Sequence, residues 1–146
     1  MIRNPYDTVI SLQHMNLEVS PKKAREINDE LVMLSYWAII YQNIQKKINI
    51  DDKDVLLVKY EEIINNCIDT TSNIFKFAGC KNIHGTDHYS KPENYKWKWG
   101  SDDGGNVIKS LKVQNFKRKR INQKLISLIE NIPEVQDLLI SYGYKK

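Results

Sequence analysis

The sequence predicts an α/β protein, mostly helical, built around one short buried strand. Three observations carry that expectation. Val55-Leu56-Leu57-Val58 is an uninterrupted apolar run, too short for a helix and without alternation. Such a run suits a parallel strand buried on both faces, here over residues 54–59. A longer stretch, residues 20–48, repeats apolar side chains at three- and four-residue steps, the period of a helix. The chain also opens on a helix start, Asn4-Pro5-Tyr6-Asp7.

Arg3-Asn4-Pro5-Tyr6-Asp7-Thr8-Val9-Ile10-Ser11 reads as the end of a strand running into a helix. Asn4 suits the N-cap, Pro5 the first helical position, and Asp7 the first turn, where negative charge is favoured. Arg3 therefore lies at a helix N-terminus, with Ser11 about two turns further on. An anion held there would meet a guanidinium fork, a hydroxyl and the positive end of the helix. The plain reading of the same residues is a capped helix with a surface arginine.

Residues 14–19 read as a connection. Ser20 then caps a long helix with Pro21 at its first position. Ala24, Ile27, Leu31, Leu34, Ala38, Tyr41 and Ile48, widened by Trp37 and Ile44, form its expected core face, with Trp37 as a packing residue. Asp51-Asp52-Lys53-Asp54 breaks the pattern before the strand. After it, a helical stretch runs from Lys59-Tyr60-Glu61-Glu62 through Ile68, Thr71, Phe75 and Ala78 to Gly79, well placed beyond its C-cap. A tyrosine just past a buried parallel strand is where open α/β sheets put ligand contacts. It could equally do no more than end the strand.

Residues 81–106 hold four of the six glycines and no strong period. His84 and His88 are four apart, but Gly85 argues against a helix and no third ligand is evident, so no metal is expected. Trp97 and Trp99 alternate with Lys96 and Lys98, as a cover over a ligand or as pins to the core. From Val107 the chain reads as helical. Ile121, Leu125, Leu128 and Ile132 form one stripe, Pro133 breaks it, and Val135, Leu138, Leu139 and Tyr142 form the next, stopped by Gly143.

A chain of 146 residues with 41% hydrophobic and 27% charged residues suits one globular domain with a modest core. No apolar run reaches the roughly 18 residues that would span a bilayer, so no membrane partner is expected. The N-terminus has no apolar signal-peptide region, and Cys67 and Cys80 fit buried free thiols in a reducing compartment. Cytoplasmic localisation is the expectation. The net charge of +4 is uneven: residues 107–146 carry +6 and residues 1–106 carry −2. The basic run at residues 117–120 suits a solvated face, a phosphate clamp or a nucleic-acid patch. Only Phe116 offers an interleaved stacking aromatic, which disfavours nucleic acid.

Two segments resemble one family. Arg3-Asn4-Pro5-Tyr6-Asp7 with Ser11 is similar to the Arg-x-Pro-x-Asp…Ser segment of sulfotransferases, which use 3′-phosphoadenosine 5′-phosphosulfate. Val55-Leu56-Leu57-Val58-Lys59-Tyr60-Glu61-Glu62-Ile63 resembles the strand of that family ending in Arg/Lys-Tyr-Glu-Asp-Leu. Phe77-Ala78-Gly79 resembles its Phe-Leu-Gly, and Leu139-Ile140-Ser141-Tyr142-Gly143-Tyr144 its terminal helix ending in Leu-Gly-Tyr.

The resemblance implies a P-loop-type three-layer α/β fold, truncated here, and a single partial domain over residues 1–146. It implies that Arg3 and Ser11 bind the nucleotide 3′-phosphate and that Tyr60 lies against adenine. Some members also place an Arg-Lys-Gly element on that phosphate, but no glycine follows the basic run here. The family's phosphosulfate loop is not matched: no Gly-x-x-x-x-Gly-Lys-[Ser/Thr] and no Gly-rich strand-to-helix turn occurs. The family's catalytic base precedes the position of Arg3, so the catalytic residue is unknown.

The expected partners are a nucleotide sulfuryl donor and a hydroxyl or amine acceptor, either a small molecule or a glycan. A lone strand leaves two edges unpaired. A second copy or a complementing chain is therefore expected, or else marginal stability. The alternative is a non-catalytic binding module whose basic C-terminal helix takes an anionic partner.

Overall fold

The computed structural model describes residues 1–14, 29–88, 113 and 122–145. The chain forms two compact units. One comprises Ile2–Val55 with Arg118–Lys146; the other is centred on Leu56–Lys117.

The first unit is a helical cluster. Helix α1 (Pro5–His14) starts as the sequence predicts. The Asp7 amide donates to Asn4 Oδ1 at 2.7 Å, and Asn4 Nδ2 donates to Asp7 Oδ2 at 2.6 Å. Cap and first turn thus hold each other reciprocally: the first bond is that of a capping box, and the second joins the two side chains.

Helix α2 (Glu30–Lys47) starts later than expected. Its N-cap is Asp29, extended at φ −83° and ψ 134°, whose carboxylate accepts from the Leu31 and Val32 amides at 2.8 and 3.3 Å. Ser20 is therefore not the cap of this helix. An acidic side chain that satisfies two otherwise unpaired amides sets the start instead. The expected positions Ser20, Pro21, Ala24 and Ile27 lie outside the described residues.

Helices α5 (Gln123–Asn131) and α6 (Pro133–Ser141) complete the unit. Ile132 ends one helix and begins the other at φ −95° and ψ 110°, with Pro133 at the first position of α6. Gly143, at φ 65°, closes α6; the Tyr144 amide returns to the Leu139 carbonyl at 2.8 Å.

Helix α1 packs on α2 and α5, and α2 packs also on α5 and α6. Ile2, Val9, Met33, Leu34, Trp37, Ala38, Leu125, Val135, Leu138 and Tyr142 are buried between them. The expected stripe of α2 holds at Leu34, Trp37 and Ala38, but Leu31 and Ile48 are exposed and Met33 is buried in their stead.

The second unit holds α3 (Tyr60–Asn65) and α4 (Cys67–Phe77), packed together and broken at Asn66. Helix α4 ends in a Schellman motif. Gly79 is at φ 68°, its amide donates to Lys76, and the Cys80 amide reaches the Phe75 carbonyl at 2.9 Å. Residues 82–88 return along α4. Ser72 Oγ donates to the Ile83 carbonyl at 2.6 Å, and the Thr86 amide donates to Thr71 Oγ1 at 2.8 Å. Between these bonds Gly85 passes so close that a Cβ would stand 1.7 Å from the Ile68 carbonyl oxygen.

The strand expected over residues 54–59 is not formed. Asp54 lies in a turn, residues 55–58 take no regular structure, and Lys59 makes a single β-bridge. Nor is the run buried on both faces: Val58 is buried, Val55 and Leu57 are half-buried, and Leu56 is exposed. A strand exists only by pairing. No ladder of successive residues is present among the described residues, which are mostly helical. The thiols also differ from expectation: Cys67 is half-buried and Cys80 exposed, and both are free.

Candidate functional site

Arg3 precedes the cap of α1 by one residue, and its backbone is held from both sides. Its amide donates to the Tyr41 hydroxyl at 3.0 Å, and its carbonyl accepts from Trp37 Nε1 at 3.0 Å. Trp37 is 2% exposed. Its ring packs on Tyr41 with centroids 4.7 Å apart, and Tyr41 meets Tyr142 edge-on at 5.6 Å. The Tyr142 hydroxyl donates to the Tyr41 carbonyl at 3.0 Å. Burial, and then the neighbouring Tyr41, push the Tyr142 phenol above its ordinary value, so it stays a neutral donor. Three aromatic side chains thus tie the residue that opens α1 to the centre of the unit.

Asn4, Thr8 and Ser11 recur at four- and three-residue steps and so share one face of α1. Thr8 Oγ1 donates to the Asn4 carbonyl at 2.7 Å, and Ser11, half-buried, stands a turn further along. Pro5 has no amide hydrogen, and that of Asp7 is taken by Asn4. An anion near this end would rely on the Arg3 guanidinium and the helix dipole more than on a row of amides.

Tyr6, beside Pro5, is fixed by a second cluster. Its hydroxyl accepts from the Asn122 amide at 2.7 Å. Asn122 Oδ1 caps α5 through the Leu125 amide at 3.1 Å, and its Nδ2 donates to Glu30 Oε1 at 3.1 Å. Lys124 Nζ donates to Glu30 Oε2 at 2.8 Å. The hydrogen bonds from Lys124, first, and Asn122 lower the Glu30 carboxyl from 4.5 to about 2. None of these links was read from the sequence, although Asn122, three residues before Leu125, carried a cap signal.

Tyr60 belongs to the other unit. It is the first residue of α3, directly after the bridging Lys59, and is half-buried. A cleft of about 290 Å³ lies beside the α3–α4 junction, bordered by Asn65, Cys67 and Asp87 among others, but not by Tyr60. Cys67 Sγ donates to the Thr86 carbonyl at 3.2 Å. Burial, and then the Asp87 carboxylate, push this thiol up. It is a neutral thiol, not an activated nucleophile. Residues 117–120, Trp97 and Trp99 lie outside the described residues, so they add nothing to this geometry.

The scaffold is helix-rich, and no described helix is long and apolar enough to cross a membrane. The chain belongs to the sulfotransferase domain family, whose model matches residues 1–132. No curated protein and no solved structure matches it. Membership points to sulfuryl transfer as the general chemistry.

Proposed function

We propose that this chain carries the nucleotide-gripping part of a sulfotransferase that uses 3′-phosphoadenosine 5′-phosphosulfate. Arg3 and Ser11 take the 3′-phosphate and Tyr60 lies against adenine. In the reaction an acceptor hydroxyl or amine attacks sulfur and loses its proton. The bond from sulfur to the bridging phosphate oxygen breaks, and adenosine 3′,5′-bisphosphate leaves. Arg3, Ser11 and Tyr60 position the far end of the donor and do not touch sulfur. The phosphosulfate loop and the base come from outside residues 1–146, and the domain is partial in that sense.

The observation that carries this reading is the double anchoring of the Arg3 backbone by Tyr41 and Trp37 at the start of a capped helix. With its backbone held, Arg3 has only its side chain left to order on meeting a phosphate, a smaller entropy loss than for an arginine on a loose loop. The test is calorimetric titration with adenosine 3′,5′-bisphosphate, with 5′-AMP as control. Selective binding that falls roughly 10- to 100-fold in Arg3→Ala is expected, the equivalent of about 1.5–3 kcal/mol. Equal affinities of wild type and variant remove the assignment.

The charge of +6 over residues 107–146 favours a second reading, a binding module for an anionic partner. Steep salt dependence without selectivity for the 3′-phosphate would support it.

A further inference from the structure

Helix α2 lacks what a surface helix normally has, a charged side. Residues 31–45 contain no charged residue. One face, with Met33, Leu34, Trp37 and Ala38, is buried against the other helices of its unit. The opposite face carries Val32, Tyr36 and Ile39, three or four residues apart, flanked by Leu31 and Ile40. Tyr36 is 59% and Ile39 55% exposed. Ser35 and Asn43 are exposed polar members of this side, but neither is charged. A helix with large apolar side chains on both faces is suited to burial, and apolar side chains grouped in this way mark an interaction surface.

The charges of α2 sit only at its two ends. Asp29 and Glu30 open it, and Lys46 and Lys47 close it. Glu30 is committed to Lys124; Asp29 caps the helix through Oδ1 and stands 4.0 Å from Lys124 through Oδ2, yet it remains exposed, as does Lys46. That arrangement is self-complementary in one orientation only. Two parallel copies would set Asp29 against Asp29 and Lys46 against Lys46. Two antiparallel copies, related by a two-fold axis midway between Tyr36 and Ile39, set Tyr36 of each against Ile39 of the other. Asp29 of each then comes level with Lys46 of the other. The helix dipoles also oppose favourably in that orientation.

We propose that a second copy of this chain covers this face, the two α2 helices packing antiparallel in an isologous contact. The uncharged centre is dehydrated without cost to any ionic group, and the end charges fix direction.

The test is sedimentation equilibrium of the 146-residue chain at about 100 µM, above the micromolar range in which standard interfaces begin to hold. The wild type is expected to be dimeric. Ile39→Arg, with an unchanged circular-dichroism spectrum, is expected to dissociate at least about 30 times more readily. Tyr36→Lys serves as the second variant should Ile39→Arg not fold. Orientation is read by disulfide trapping in a Cys67→Ser, Cys80→Ser background. Ile39→Cys, near the axis, should link two copies under mild oxidation, and Lys46→Cys, at the end, should not. A monomeric wild type overturns the proposal, and so does a dimer indifferent to both face variants. Linking at Lys46→Cys as readily as at Ile39→Cys overturns the antiparallel arrangement.

Discussion

The indole Nε1 of Trp37 donates to the carbonyl oxygen of Arg3 at 3.0 Å, across 34 residues of chain. A side chain in the middle of α2 thereby fixes the backbone at the entrance to α1. Trp37→Phe removes that bond and leaves part of a buried volume unfilled. It is expected to cost about 1–3 kcal/mol of stability. The measurement is the urea midpoint of the variant, together with its affinity for adenosine 3′,5′-bisphosphate. The affinity should fall even under conditions where the variant is fully folded, because Arg3 is then less firmly held.

Asn4 and Asp7 satisfy each other, so their substitutions should not add. Asn4→Ala is expected to destabilise by about 1 kcal/mol. The double variant with Asp7→Ala should cost less than the sum of the two single changes, as in a coupled pair. Thermal melts of the four proteins complete the cycle. Strict additivity would show that the reciprocal bonds contribute nothing.

Glu30 makes the acid limit of the first unit predictable. Its folded value, about 2, lies below its ordinary 4.5, so its contribution is fully present above pH 4.5. It is lost as the pH falls from there towards 2. Its partner Lys124 is largely solvent-exposed, so screening reduces the effect to about 1 kcal/mol. Urea midpoints at pH 7 and pH 3 should differ less in Glu30→Gln than in the wild type.

At Gly85 the backbone leaves no room for a methyl group beside the Ile68 carbonyl. Gly85→Ala should lift residues 82–88 off α4 at a cost of about 1–3 kcal/mol. Cys67 would lose the cover that raises its pKa. Its rate of modification by a thiol reagent, measured in a Cys80→Ser background, should therefore rise. An unchanged rate would show that the segment had accommodated the methyl in place.

The parts of the fold written in local chemistry were legible. The start of α1 needs only Asn4, Pro5 and Asp7, and the ends of α4 and α6 need only Gly79 and Gly143. Parts that depend on distant chain were not. Ser20-Pro21 and Asp29-Glu30 are both sound start signals, and neighbouring sequence does not rank them. The expected face of α2 is out of phase at Leu31 and Ile48 because residues 31–45 carry no charge, and the polar residues there, Ser35, Gln42, Asn43 and Gln45, mark the solvent side only weakly. The composition of residues 55–58 is that of a strand, yet strandedness belongs to a pair. As for the candidate site, Arg3, Ser11 and Tyr60 stood out through family likeness. Their surroundings did not: the contacts from Trp37 and Tyr41 to Arg3 span 34 and 38 residues.

Ile132 is the entire connection between α5 and α6, ending one helix and opening the next with no residue to spare. Such a joint meshes like a pair of gear teeth. Each residue added or removed advances a helix by about 100° and 1.5 Å. One extra residue ahead of Val135 would swing Val135, Leu138 and Tyr142 out of the core together. Tyr142 would leave Tyr41, and the aromatic chain that reaches Arg3 would lose its outermost member. Through this corner, a change in length near the C-terminus is felt at the third residue of the chain.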